Sequence, residues 1–137
     1  MNNEELITFA KDMFGMTDEE IARFTPEEVE KYKRFMVNKA KYRLVAEVVS
    51  SKNCVAGVQV GQRIVFSGVG IDKDATDCPL CVGAISPLTR NLAVYTDRCY
   101  HGHDITAPLP GINCVDPGID VGGFGNVKMT VRVEEVF

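Results

Sequence analysis

At 137 residues the chain has the size of one domain able to bury a core without covalent staples. Its 45% hydrophobic and 25% charged residues exclude a disordered chain, and no run approaches the roughly 18 consecutive apolar residues of a membrane span. A formal charge of −4, from 15 Lys+Arg against 19 Asp+Glu, argues against the basic face of a nucleic-acid binder.

The opening Met1-Asn2-Asn3-Glu4-Glu5 has neither the basic start nor the apolar run of a secretory signal, so the cytoplasm is the expected location. The chain carries five cysteines, Cys54, Cys78, Cys81, Cys99 and Cys114. In a reducing compartment stable disulfides are uncommon, and the odd count fits a closed disulfide framework poorly. Clustered cysteines then point to metal ligation or redox work.

Leu6, Phe9, Ala10 and Met13 recur at helical spacing, with Gly15 as the stop. Thr17 to Glu20 has the spacing of a capping box. Thr25 as cap, Pro26 at the first helical position and Glu27 and Glu28 in the first turn predict a further helix. Its apolar stripe is Val29, Tyr32 and Phe35 or Met36. From Tyr42 the period becomes two, and Leu44, Ala46 and Val48 alternate with Arg43, Val45 and Glu47 as in a half-buried strand. A turn is expected at 50–53, then one or two strands over 58–66 interrupted at Gly61. Residues 68–77 read as a polar loop. A short helix is expected from Pro79 to Ile85, resuming after Pro87 towards Tyr95. Residues 98–120, with three prolines, read as irregular, and a loop this long is usually functional or tied down. Val127, Met129, Val131 and Val133 then define the clearest strand. The expected fold is α+β: a helical arm over residues 1–41, then a small, mostly antiparallel sheet with one short helix over 42–137, forming one compact unit.

The strongest chemical signal is Cys78-Pro79-Leu80-Cys81, followed after seventeen residues by Cys99-Tyr-His101-Gly-His103. Two cysteines two residues apart can place both sulfurs on one ion, and further Cys or His ligands at this interval match a zinc spacing. In an extended segment Cys99, His101 and His103 would share one face. Burial as small hydrophobes is the bland reading of the same cysteines, above all of Cys54 and Cys114. Cys-Pro-Leu-Cys is similar to the active-site tetrapeptide of glutaredoxins, although a ten-residue loop separates it from the preceding strand and no later βαβ pattern follows. The glycines do not follow the strand–GxGxxG–helix layout, so turns and bulges explain them. Asp72, Asp74 and Asp77 lack the EF-hand pattern and read as a solvated acidic loop.

Three spacings together resemble a family of small bacterial and archaeal proteins, common in anaerobes and of unknown function. They are Cys54-x-x-Gly57-x-x-x-Gly61, a cysteine opening a short helix at Cys81 with Ala84 following, and Cys114-Val-Asp116-Pro117 before a terminal strand. The resemblance covers roughly residues 42–137. It departs at Gln62, where the family has an acid, and at Val82 and Val115, where it has prolines. The Cys99–His103 stretch is an addition. The resemblance implies that Cys54, Cys81 and Cys114 match, with Cys78 or Cys99 as a fourth thiolate for zinc or a cubane iron–sulfur cluster.

These readings combine into a small cytoplasmic protein binding zinc or an iron–sulfur cluster. Its ligands would come from Cys54, Cys78, Cys81, Cys99, His101, His103 and Cys114. Such a chain could be an accessory subunit of an anaerobic enzyme, with the arm docking on a protein partner or a second copy. The alternatives are a cysteine-dependent enzyme with His101 or His103 as base, or a dithiol redox protein using Cys78 and Cys81. Neither a nucleic-acid nor a membrane partner is expected.

Overall fold

Local signals place the helical arm. In the computed structural model, which describes residues 1–136, three helices α1 (Asn3–Phe14), α2 (Asp18–Ile21) and α3 (Pro26–Lys41) each open on a reciprocal capping box. The Thr25 hydroxyl accepts the Glu28 amide at 3.2 Å, and the Glu28 carboxylate accepts the Thr25 amide at 2.9 Å. Gly15, at φ 66°, closes α1 in the left-handed conformation that favours glycine.

The chain after Lys41 builds an antiparallel sheet from β1 (Tyr42–Lys52), β2 (Arg63–Ser67), β3 (Gly70–Ile71), β4 (Ile112–Asn113) and β5 (Asn126–Glu135). The spatial order is β3-β2-β1-β5-β4. Between β3 and β4 run α4 (Val82–Ile85), a 3-10 turn over Ser86–Leu88, and α5 (Thr89–His101). The fold is therefore α+β, as expected, with helices first and the antiparallel sheet after them.

Alternation decides which sheet face meets α5. Leu44, Ala46 and Val48 of β1, Ile64 and Phe66 of β2, and Val127, Met129, Val131 and Val133 of β5 share one core with Leu88, Tyr95 and Cys99. Val45 and Val65 lie on the opposite face yet are also buried, which a half-buried strand does not anticipate. Register sets Val45 opposite both Val65 and Arg132. On that face Arg132 pairs with Glu47 at 3.0 Å and Glu134 at 2.8 Å, and Arg63 pairs with Glu134 at 3.0 Å. The apolar stems of such a charged ladder can cover small hydrophobes while the heads stay wet.

The arm packs on the same chain's α5, and α5 on the sheet. The Phe35 and Tyr100 rings stack at 4.4 Å. The Asn38 side-chain amide donates to the Cys99 carbonyl at 2.8 Å, and the Arg34 Nε to the Tyr100 carbonyl at 2.9 Å. These bonds satisfy carbonyls that the end of α5 leaves free. The segment after α5 is tied down as anticipated: buried Asn91 donates to the Pro110 carbonyl at 2.7 Å, and Arg98 to the Ala107 carbonyl at 2.7 Å. Among the described residues no helix is long and apolar enough to cross a membrane.

Candidate functional site

The structure overturns the zinc and iron–sulfur reading. Among the described residues no group of three or more His, Cys, Asp or Glu side chains is arranged to hold a metal ion. The physical reason lies in α5. Residues 98–120 read as irregular, and only an extended 99–103 would put the three side chains on one face, but the helix continues to His101 and Gly102 caps it at φ 74°. Helical periodicity turns Cys99 inward, fully buried beside Tyr95, and leaves His101 and His103 exposed. His101 faces Asp97 one turn back, at 3.3 Å.

Cys78 lacks the surroundings of an activated thiol. Cys78 is buried, and its thiol donates to the Pro79 carbonyl at 3.5 Å. Burial first, then the nearby Asp77 carboxylate and the Cys54 and Cys81 sulfurs, push its pKa up to about 11. Activation would require the opposite shift. Burial likewise raises Cys99. Both are core thiols.

The other three cysteines converge without forming an ion site. Cys54 follows the end of β1, Cys81 precedes α4, and Cys114 follows β4; each is half-buried. All three line one small cavity of about 180 Å³, whose remaining walls include Val55, Val58, Ala84 and Val127. Apart from the sulfurs and the Asp116 and Asn126 side chains, the lining is apolar or glycine.

Cys114 also faces a second, more open cleft of about 540 Å³. Cys114, Val115, Gly125 and Asn126 belong to the walls of both. The open half is polar. Register pairs Lys52 with Asn126 and Asn113 with Lys128, and positions 126 and 128 point to the same side of β5. Lys52, Asn113, Asn126 and Lys128 therefore form one patch. Neither lysine has an ion-pair partner among the described residues, and Asp120 is the acid that lines this half. Strand alternation places Lys128 on the face opposite buried Val127. Only the register, which no local pattern displays, shows what stands beside it.

One carboxylate shapes the loop between β4 and β5. Asp116 accepts the amides of Gly118 at 3.0 Å, Phe124 at 3.0 Å and Gly125 at 3.1 Å. The Gly118 bond, then those of Gly125 and Phe124, hold its pKa below the ordinary carboxylate value. Gly125 is required by close approach: a Cβ there would collide with the carbonyl oxygens of Lys52 and Asn53. This contact seats the loop against the end of β1 and keeps Cys54 and Cys114 on one cavity.

Comparison with protein-family models, with curated proteins and with solved structures finds no match. The resemblance read from the cysteine and glycine spacings thus carries no residue role into this site.

Proposed function

We propose that the chain is a binding protein for a small organic anion with a short apolar body. The observation that supports it is that Cys114, Val115, Gly125 and Asn126 line both the lysine-bearing cleft and the apolar, thiol-lined cavity. A carboxylate or phosphate would sit by Lys52, Lys128 and Asn113, where two ammonium groups face one acid, Asp120. The Asp116 carboxylate is engaged by three amides and repels such a ligand less than a free one would. The cavity holds about six water-sized units at roughly 30 Å³ each, which suits a few carbon atoms or a small ring. Concave sites with mostly apolar walls and a few polar groups that fix orientation are the usual form of small-ligand pockets. A cytoplasmic location, which would keep the three cavity thiols reduced, accords with this reading.

The test is equilibrium binding of butyrate, butyl phosphate and neutral butanamide to the wild-type chain and to the Lys52→Ala/Lys128→Ala chain. The anions should bind better than the amide, and the double substitution should weaken them about tenfold, as loss of two nearby charges implies. Equal binding of butanamide, or anion binding untouched by the substitutions, would refute the proposal.

A further inference from the structure

We propose that the outer edge of β5 pairs with the same edge of a second copy of this chain, antiparallel across a two-fold axis at Val133. The two edges of the sheet end differently. Along β2 the chain that follows β3 folds back over the edge. The Thr76 and Asp77 side chains accept the Val65 and Arg63 amides at 3.0 and 2.7 Å, and the Asp72 and Asp77 amides donate to the Val65 and Arg63 carbonyls at 2.8 and 3.2 Å. Along β5, by contrast, β4 pairs only with Met129 and Lys128. The Val127 carbonyl faces β4, accepting the Cys114 amide, and the Val136 amide faces the other way, donating to the Lys41 carbonyl. Hydrogen-bonding direction alternates along a strand, so Val131, Val133 and Glu135 turn their amides and carbonyls outward. Among the described residues no backbone group outside the sheet bonds to any of the three.

The sequence accounts for the open stretch. Continuing the β4–β5 register past Ile112 and Met129 would set Pro110 opposite Val131 and Pro108 opposite Val133. Neither proline has an amide to give to those carbonyls. The Pro110 carbonyl, which would have accepted the Val131 amide, accepts the Asn91 side chain instead at 2.7 Å.

An open edge is a template for another strand, and charge selects which strand and in what register. Unlike charges directly opposite favour a pair, and like charges oppose it. A two-fold axis at Arg132 or at Glu134 would set arginine against arginine or glutamate against glutamate. An axis at Val131 would require Met129, which Ile112 already holds. An axis at Val133 meets neither obstacle. There the two Val133 residues exchange amide–carbonyl bonds, Val131 does so with Glu135 of the partner subunit, and Arg132 faces Glu134 of the partner subunit, twice by symmetry. Arg132 and Glu134 already belong to the charged ladder with Glu47 and Arg63, and the ladder then runs on across the axis.

The experiment is sedimentation velocity of the full chain over a concentration series, joined to an isotope-filtered NOE measurement on mixed labelled and unlabelled chain. The proposal expects a reversible monomer–dimer equilibrium and an intermolecular Hα–Hα contact between Arg132 and Glu134. Glu134→Arg, which sets arginine against arginine, should raise the dimer dissociation constant about tenfold, and Arg132→Glu/Glu134→Arg, which restores unlike pairs in reverse, should bring it back. Should Glu134→Arg fail to fold, the contact in the wild-type chain decides alone. A dimer that lacks that contact, or one whose dissociation constant ignores the charge reversal, would overturn the edge and its register. A chain that stays monomeric throughout the series would overturn the second copy as the occupant.

Discussion

The Val127 amide donates to the Cys114 sulfur at 3.2 Å, while the Cys114 amide donates to the Val127 carbonyl at 2.8 Å. A side-chain sulfur thus occupies the acceptor position that a backbone carbonyl holds in a continued antiparallel pair. The β4–β5 ladder ends there, and the 114–125 loop is free to turn away and wall the cleft.

Cys114→Ala should therefore be more than the loss of a small side chain. Val127 is buried, and the substitution leaves its amide without that acceptor, at a cost of about 1–2 kcal/mol. Urea unfolding should show the loss, and hydrogen exchange should show faster opening at Val127 in particular. Unchanged exchange at Val127 would mean that the N–H···S contact contributes nothing.

The buried thiols make a prediction about alkaline pH. Cys78 is raised from 9.0 to about 11, and Cys99 and Tyr95 are also raised, each chiefly by burial. In all three the folded state favours the protonated form. Their contribution is complete below the unfolded values and is lost as pH rises through the folded ones. Stability in urea should hold up to about pH 9 and fall towards pH 11, and Cys78→Ala should flatten that fall. A midpoint independent of pH over this range would contradict the burial of these groups. At neutral pH, Cys78 and Cys99 should be the last thiols alkylated.

Asp116 gives the opposite sign. Its folded pKa lies below the ordinary value, so its contribution is present above the unfolded carboxylate pKa and disappears as pH falls through the folded one. Asp116→Ala should accelerate exchange of the Gly118, Phe124 and Gly125 amides at neutral pH. Full protection of those amides in the variant would show that the loop is held by something else.

Gly125→Ala tests the seating of that loop. The added methyl meets the carbonyl oxygens of Lys52 and Asn53, and these belong to backbone that cannot rotate away. A loss of about 1–3 kcal/mol is expected, together with weaker binding in the cleft. Wild-type stability and binding would show that the approach relaxes freely.

The arm and the strands were legible because their signals are local. Thr25, Pro26 and Glu28 specify a helix start within one turn, and Val127 to Val133 display a strand without reference to any partner. The Cys99–His103 segment misled because its polar, glycine-containing sequence resembles a loop. Its conformation is set by Tyr95 and Cys99, one turn apart and both buried in the core, and by the bonds that α3 makes to the last carbonyls of α5. The zinc-like spacing counted residues along a chain whose intervening part is a helix, and so mistook sequence distance for proximity. The cleft was illegible for a different reason. Lys52 and Lys128 become neighbours only through the β1–β5 register, which shifts between Val48 and Ser50, and Cys114 takes its place only through the β4–β5 pairing that sets it beside Val127.

The most direct test of a single continuous site is amide chemical-shift mapping during a butyrate titration of the wild-type chain. One site spanning both halves predicts shifts at Asn113 and Lys128 in the cleft and at Gly83 and Ala84 in the cavity wall, all following one saturation curve. Shifts confined to one half, or following separate curves, would contradict it.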